Sequence, residues 1–172
     1  MIVAPKLAPM EKGQADGINV RSMEMFQAFG FADKVKRESV WINETTFWSP
    51  DTENPGQIRR VGRVQDVADG LSEMPHVLIN QARIHDLFLD IMKNSPTRLE
   101  PDYGLKVTDL VIDPAAADYP VTVTLGHASP QRAGGRETIR ARYVVGCDGA
   151  RSTVRQAIGG ALLRPEGIVG GA

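Results

Sequence analysis

The stretch Tyr143-Val-Val-Gly-Cys-Asp-Gly-Ala-Arg-Ser-Thr-Val-Arg155 says more about the fold than any other part of the chain. Its apolar start predicts a β-strand that ends at Gly146, where backbone without a side chain can approach a ligand closely. Asp148 then stands at the carboxyl end of that strand, the edge at which open α/β sheets bind ligands. Ser152 is a favourable N-cap for a short helix over residues 152–158. Composition alone favours the plainer interpretation, a strand–turn–helix joint with Asp in the turn and Ser as the cap.

The bulk composition is that of an ordinary globular protein. The chain has 172 residues, 42% of them hydrophobic and 24% charged, which suits one domain or a large part of one. Twenty basic and twenty-one acidic residues give a net charge of −1, so neither nucleic acid nor a membrane surface is an expected partner. No stretch approaches the roughly 20 apolar residues that span a bilayer. Cys147 is the single cysteine, which excludes an intrachain disulfide and a Cys-rich metal site and makes a reduced, cytoplasmic setting the default.

The first half of the chain predicts short helices between strands. Met23, Phe26 and Phe29 form an apolar helix face that ends at Gly30. Strand-forming residues dominate residues 40–65 and predict antiparallel pairing around a polar turn. The predicted elements are the end of a buried strand at residues 1–4, a loop at 5–17, the helix through Met23 and Phe26, a helix at 31–38, strands within 40–65 with a turn at 51–56, and a loop at 66–75.

The second half predicts one longer helix and a β-meander. Apolar residues recur at helical spacing through residues 81–94, which is the clearest helical pattern in the chain. Three strand candidates follow at residues 104–112, 121–125 and 139–145, separated by proline- and glycine-containing links. They predict a three-stranded antiparallel meander whose last strand returns to a main sheet; the α/β fold class is what the family resemblance described below implies.

The whole stretch from Tyr143 to Arg155 is much less common than its parts. It resembles the second fingerprint of the FAD-dependent aromatic hydroxylases, in which an apolar strand leads to Asp-Gly and then to Ser and Arg at fixed spacing; Asp148, Gly149, Ser152 and Arg155 all match. The resemblance implies that Asp148 and Gly149 bind the cofactor. Because a carboxylate cannot attract a pyrophosphate, Asp148 is expected to accept hydrogen bonds from hydroxyls or amides and to fix nearby basic residues. Arg151 and Arg155 are placed to supply the positive charge.

A second motif, Gly13-Gln14-Ala15-Asp16-Gly17, feeds the first helix, and Arg21 lies near the helix start. From the residues alone this is either a turn or a loop whose exposed amides can meet a phosphate. It is similar to a loop of a narrower branch that includes phenol 2-monooxygenase and 3-hydroxybenzoate 4-monooxygenase. The resemblance implies that Gln14, Ala15, Asp16, Gly17 and Arg21 bind the flavin and that Asp16 also reaches the phenolic hydroxyl of the substrate.

A third match, Pro75-His76-Val-Leu-Ile-Asn-Gln81, leads into the long helix. In this family Gln81 corresponds to a flavin-contacting position, and His76 to a histidine of the substrate pocket. Without the resemblance, a lone histidine before a strand is more often structural or exposed. His85 and His127 are expected to take no part.

The resemblance runs from about Ile2 to Ile158. It implies a fragment of a Rossmann-like FAD-binding domain of the glutathione-reductase type, with an antiparallel β-meander and part of the substrate-covering sheet. Residues 1–160 form a partial FAD-binding monooxygenase domain and residues 161–172 a divergent tail. The implied activity of the parent protein is FAD-dependent, NADPH-using hydroxylation of a small aromatic substrate, 3-hydroxybenzoate- or phenol-like, by molecular oxygen. Asp16 and His76 are its catalytic candidates. Dimers are common in the family, which leaves a homodimer of the full-length protein open.

One expected motif is missing. The family opens with a Gly-x-Gly-x-x-Gly turn that binds the ADP pyrophosphate, and none of the 17 glycines has that spacing. We therefore expect a chain truncated at both ends that binds FAD weakly or not at all by itself. Two alternatives remain open: an inactive fragment or non-catalytic remnant of such an enzyme, and a flavin-dependent oxidoreductase of the same fold with different chemistry. The Asp16 loop argues against the latter.

Overall fold

A computed structural model describes residues 1–129 and 134–158 of the chain. The predicted helix stop at Gly159-Gly160 and the tail at residues 161–172 lie outside them. The elements in chain order are β1 (Ile2–Ala4), β2 (Gly17–Ile18), α1 (Val20–Ala28), α2 (Ala32–Glu38), β3 (Val40–Ile42), β4 (Glu44–Pro50), β5 (Ile58–Gln65), β6 (His76–Leu78), α3 (Gln81–Asn94), β7 (Pro101–Tyr103), β8 (Leu105–Ile112), β9 (Val121–His127), β10 (Arg136–Ala141) and α4 (Thr153–Ala157).

The chain divides into two compact units. The central unit is Met10–Arg98. The terminal unit combines Met1–Pro9 with Leu99–Ala172, of which residues 99–129 and 134–158 are described. Each unit has a hydrophobic core of its own.

The central unit is built from three helices and a small antiparallel sheet of order β2-β6-β3. Polar side chains cap the starts of α1 and α3: the Asn19 side chain accepts from the Ser22 amide, and the Asn80 side chain accepts from the Ala82 amide. The apolar faces of the helices and the inner side of β6 then bury one cluster, whose members are Met23, Phe26, Phe31, Ala32, Val35, Val77, Ile79, Ile84 and Leu87. The predicted helices at residues 31–38 and 81–94 are thus confirmed.

An antiparallel hairpin, β4–β5, completes the central unit and confirms the pairing predicted within residues 40–65. Its register shifts between Phe47 and Trp48, and both of these aromatic side chains are exposed. β3 does not extend the hairpin but pairs with β6. The hairpin is therefore not part of the β2-β6-β3 sheet. The loop that begins at Asp66 connects the hairpin back to β6 of that sheet.

The terminal unit confirms the predicted meander. β8, β9 and β10 form an antiparallel sheet of order β10-β9-β8, against which α4 packs. Its buried residues are Leu105, Leu110, Val121, Val123, Leu125 and Val154. The first strand, β1, pairs in parallel with β7, which the sequence did not predict as a strand of its own. Ile2 is exposed, so β1 is not the buried strand expected at residues 1–4.

The predicted end of the third meander strand is wrong. The strand was expected over residues 139–145 with its end at Gly146, but β10 ends at Ala141, opposite Val121, the first residue of β9. Past that point no described strand lies beside the chain, and the Tyr143 and Val145 side chains are 88% and 84% exposed. Because a β-strand exists only through hydrogen bonds to a neighbour, an apolar run without one stays extended and unpaired.

No helix within the described part of the chain is both long and apolar enough to cross a membrane.

Candidate functional site

The loop that carries Asp16 is held tightly against the start of α3. The Gln14 amide donates to Gln81 Oε1 at 2.9 Å. A Cβ placed on Gly13 would lie 2.5 Å from the Cβ of Gln81, a distance that only a glycine avoids. Two positions chosen from separate motifs, 67 residues apart, are therefore in direct contact.

The next residues of the loop join the sheet. The Ile79 amide donates to the Asp16 carbonyl at 2.9 Å, and Gly17 pairs with Leu78 across β2 and β6. Ala15 and Asp16 are exposed, and no described residue forms a hydrogen bond with the Asp16 carboxylate. The backbone of the loop is thus fixed, while the Asp16 carboxylate is open to a ligand.

His76, the first residue of β6, faces the same loop. Its Nδ1 lies 2.8 Å from Oδ2 of Asp66, and its Nε2 lies 3.6 Å from the position that a Cβ on Gly17 would take. An ionised carboxylate only accepts hydrogen bonds, so Nδ1 carries the proton in this pair. Among the residues that the structure describes, none forms a hydrogen bond with Nε2.

A groove of roughly 380 Å³ opens beside His76. It runs along the N-terminal half of α1 and the loop after β5, and its lining residues are Asn19, Val20, Arg21, Glu24, Asp66, Val67, Leu71 and His76. Arg21 brings a cation to the N-terminal turn of α1, where free amides already favour anions. The predicted residues Arg21 and His76 thus line one groove.

Asp66 is the functional candidate that the sequence did not single out. It follows β5 in a loop, where an aspartate is common and carries no motif. The three motifs that carry the family resemblance do not include it. Its partner His76 is ten residues further on, and nothing in that spacing predicts a contact.

Asp148 and Gly149 belong to the terminal unit, where Asp148 anchors the start of α4. Its Oδ1 accepts from the Ser152 hydroxyl at 2.5 Å, and its Oδ2 accepts from the amides of Thr153 at 2.7 Å and Val154 at 3.2 Å. The Ser152 hydroxyl in turn accepts from the Arg155 amide at 2.9 Å. The hydrogen bond from the Ser152 hydroxyl, opposed by desolvation and aided by the two amides, holds the pKa of the Asp148 carboxyl below its ordinary value.

The two glycines beside Asp148 have different environments. A Cβ on Gly146 would lie 2.7 Å from the Cβ of Val154, so the close approach that this glycine permits is to α4. Gly149 has φ +77° with no atom within 4 Å of the position of a Cβ, and forms an exposed turn. The Arg155 guanidinium donates to the Ala150 carbonyl and so closes this turn on its other side.

The residues present suit a flavin. Within the central unit, the exposed backbone at residues 14–16 offers polar groups to a flavin. Over residues 1–129 and 134–158, no three His, Cys, Asp or Glu side chains are grouped so that they could hold a metal ion.

Solved structures define the class of fold. The chain superposes with a TM-score of 0.73 on p-nitrophenol 4-monooxygenase from Pseudomonas putida, over 91% of this chain and 36% of that one, at 20% identity. The flavin-dependent monooxygenase PieE, solved with FAD and substrate, gives a TM-score of 0.70 over 91% of this chain and 27% of that one, at 21% identity. The fold is therefore that of a mixed α/β fragment of FAD-dependent monooxygenases, as predicted.

The chain belongs to the FAD binding domain family, whose model matches residues 1–170. It is 62% identical over 162 residues to 3-hydroxybenzoate 4-monooxygenase of Comamonas testosteroni, covering 94% of this chain and 25% of that protein. It is 31% identical to a phenol 2-monooxygenase of Aspergillus fumigatus, covering 88% of this chain and 24% of that protein. The resemblance inferred from the motifs is confirmed, and the chain spans about a quarter of the length of these relatives.

Proposed function

We propose that this chain is part of an FAD-dependent monooxygenase that hydroxylates a phenolic ring, with 3-hydroxybenzoate or a simple phenol as the substrate class. One observation carries the proposal: the exposed Asp16 carboxylate is held on a fixed loop, next to the glycine that faces Nε2 of His76. The identity with the Comamonas testosteroni enzyme over 94% of the chain supports the substrate class.

Asp16 would act on the phenolic hydroxyl, and His76 would line the substrate pocket. A carboxylate beside a phenol accepts its hydrogen bond or removes its proton, and either makes the ring more electron-rich at the carbon to be hydroxylated. Nε2 of His76, which has no partner among the described residues, can accept a hydrogen bond from a polar group of the same substrate. FAD, reduced by NADPH, would supply the oxygen-activating chemistry.

The residues that would hold the flavin fall into two sets. Gln14, Ala15, Gly17, Arg21 and Gln81 form the set in the central unit, where the contact between Gln14 and Gln81 makes the loop rigid.

Asp148 and Gly149 form the set in the terminal unit. Because the Asp148 carboxylate already accepts three hydrogen bonds from its own helix, we assign it mainly the shaping of the turn. The exposed backbone at Gly149 would make the cofactor contact.

The remaining features of the proposal rest on the family resemblance and on composition. NADPH would be the reductant and molecular oxygen the co-substrate, and a homodimer would be the assembly of the full-length protein. A single cysteine and no possible intrachain disulfide suit the reduced cytoplasm.

The test places this chain in the Comamonas testosteroni relative, in exchange for the segment that it matches. This chimera should bind FAD and oxidise NADPH faster when 3-hydroxybenzoate is added, with a hydroxylated product. Asp16→Asn should lower hydroxylation about 10²–10⁴-fold, the usual contribution of a positioned acid–base group, while the flavin absorbance is retained. Glu73→Gln, an exposed change in the loop after β5, is the matched control and should have no effect.

Two results would count against the proposal. A flavin-loaded chimera whose NADPH oxidation ignores phenols would point to a different flavin chemistry. Unchanged hydroxylation in Asp16→Asn would remove Asp16 from the reaction.

A further inference from the structure

Asp66 lies where the β4–β5 hairpin rejoins the central unit. Its amide donates to the Asn43 carbonyl at 2.9 Å, which ties the loop start to the residue between β3 and β4. Its Oδ1 accepts a long hydrogen bond of 3.5 Å from the Thr45 hydroxyl, and its Oδ2 lies 2.8 Å from His76 Nδ1. Each carboxylate oxygen of Asp66 therefore has its own partner, Thr45 for Oδ1 and His76 for Oδ2. Because Thr45 belongs to β4, the hairpin helps to orient the carboxylate toward the histidine.

The pair is partly shielded from water, although both residues line the groove beside α1. The side chains of His76 and Asp66 are 27% and 18% exposed, whereas the described ion pairs that join other elements of the central unit are more exposed. A hydrogen bond to a charged acceptor strengthens as solvent is excluded. This bond is thus better placed than a surface pair to hold one ring orientation and one proton position.

The consequence of that bond appears at the other ring nitrogen. With Nδ1–H donated to Asp66, a neutral His76 has its lone pair on Nε2. Nε2 is also the atom that lies against Gly17 and has no protein partner in the described structure. A histidine with the opposite tautomer would present a donor there and leave the Asp66 carboxylate facing a lone pair.

The geometry points to Asp66 as a positioning residue: it holds His76 in the Nδ1–H tautomer, so that Nε2 presents a lone pair, and not a donor, to the bound substrate. This inference rests on the proposed function for its substrate, but not for the tautomer itself, which is a property of the chain without ligand.

The tautomer is measured on the 172-residue chain by long-range ¹H–¹⁵N NMR of protein labelled in its three histidines. The measurement is made at about pH 8.5, roughly two units above the ordinary pKa of histidine. The His76 signals, assigned with His76→Gln, should have Nδ1 in the range of a protonated ring nitrogen and Nε2 in that of an unprotonated one. Asp66→Leu should reverse or average the two shifts.

Two further variants separate positioning from folding. Asp66→Asn keeps a carbonyl oxygen for Nδ1–H and should restore the wild-type shifts. Glu137→Ala removes the partner of His127, whose Nε2 lies 3.0 Å from Glu137 Oε1, and should change the His127 signals while those of His76 stay in place. Nε2–H in the wild type, or Nδ1–H retained in Asp66→Leu, would overturn the inference.

The same variants in the chimera connect the tautomer to the reaction. Asp66→Leu should lower kcat/KM for the phenol on the order of 10- to 100-fold, as loss of an orienting partner of a functional histidine does elsewhere, and Asp66→Asn should recover most of it. An unchanged kcat/KM in Asp66→Leu would also overturn the inference. If phenols fail to stimulate a flavin-loaded chimera, the proposed function is lost while the tautomer result stands.

Discussion

The Asp148 carboxylate and the Ser152 hydroxyl are joined by a hydrogen bond of 2.5 Å. The carboxylate also accepts from two amides in the first turn of α4, and the hydroxyl from a third. The two side chains together satisfy the amides of Thr153, Val154 and Arg155, which lie in the first turn of α4 and so have no acceptor within the helix. The most recognisable motif of the sequence thus has a structural role that can be measured without any cofactor.

Removing the serine hydroxyl should destabilise the terminal unit. Ser152 is buried, so Ser152→Ala leaves the Arg155 amide without its acceptor and the Asp148 carboxylate without its closest donor. We expect a loss of about 1–2 kcal/mol in the free energy of unfolding, measured by urea denaturation. Asp118→Asn, which breaks an exposed pair with Arg142, should cost less than about 0.5 kcal/mol. If both variants lost the same free energy of unfolding, the Ser152 cap would contribute no more than an exposed ion pair.

The same contact predicts a pH dependence with a definite sign. The folded-state pKa of Asp148 lies below its ordinary value, which is about 3.9 in an unfolded chain. The stability that Asp148 contributes is therefore fully present above that value and lost as the pH falls through the lowered pKa. The difference in unfolding free energy between wild type and Asp148→Asn should shrink on acidification below about pH 4. When Ser152→Ala is also present, the change of this difference with pH should be smaller. A difference in unfolding free energy that stays constant with pH would contradict a lowered pKa of Asp148.

Gly13→Ala tests the contact between the Asp16 loop and α3. The new methyl group would lie 2.5 Å from Gln81 Cβ, so the loop must move, at a cost of about 1–3 kcal/mol. Gly56→Ala is the matched control, because no atom lies within 4 Å of its Cβ position and its φ is not in the left-handed region. Thermal unfolding of the two variants gives the comparison. If Gly13→Ala were as stable as Gly56→Ala, the close contact between Gly13 and Gln81 would be contradicted.

FAD affinity provides a fourth prediction. The 172 residues contain no Gly-x-Gly-x-x-Gly turn for the pyrophosphate, and that turn supplies the amides and helix N-terminus on which an ADP group lies. Titration of the purified chain with FAD, followed by flavin fluorescence, should show weak binding or none. The chimera described above is the positive control. A stoichiometric yellow complex of the 172-residue chain would refute the expectation.

Local patterns predicted those parts of the fold in which neighbours along the chain determine the structure. The helix at residues 81–94 was predicted to the residue, because its apolar spacing and its cap at Asn80 are both encoded within one segment. The meander was predicted because its strands are consecutive and pair with their neighbours. The apolar residues through Tyr143 predict a longer strand than the structure has, because pairing depends on a second strand.

For the candidate site, too, the sequence predicted the residues and the structure showed their contacts. The motifs identified Gln14, Asp16, His76 and Gln81 as residue types suited to a flavin and a phenol. The contact between Gln14 and Gln81, and that between Asp66 and His76, were decided by how the loops fold back onto β6 and α3.

The sequence by itself determined the family, the helices, the meander and the identity of the site candidates, since all of these are encoded in short contiguous stretches. Only the tertiary structure decided that β1 pairs with β7, that the Asp148 carboxylate faces its own helix, and that Asp66 sets the orientation of His76. The reason is physical: a hydrogen bond forms between particular atoms at about 3 Å, and the path that brings two loops to that distance is set by the packing of all the elements between them.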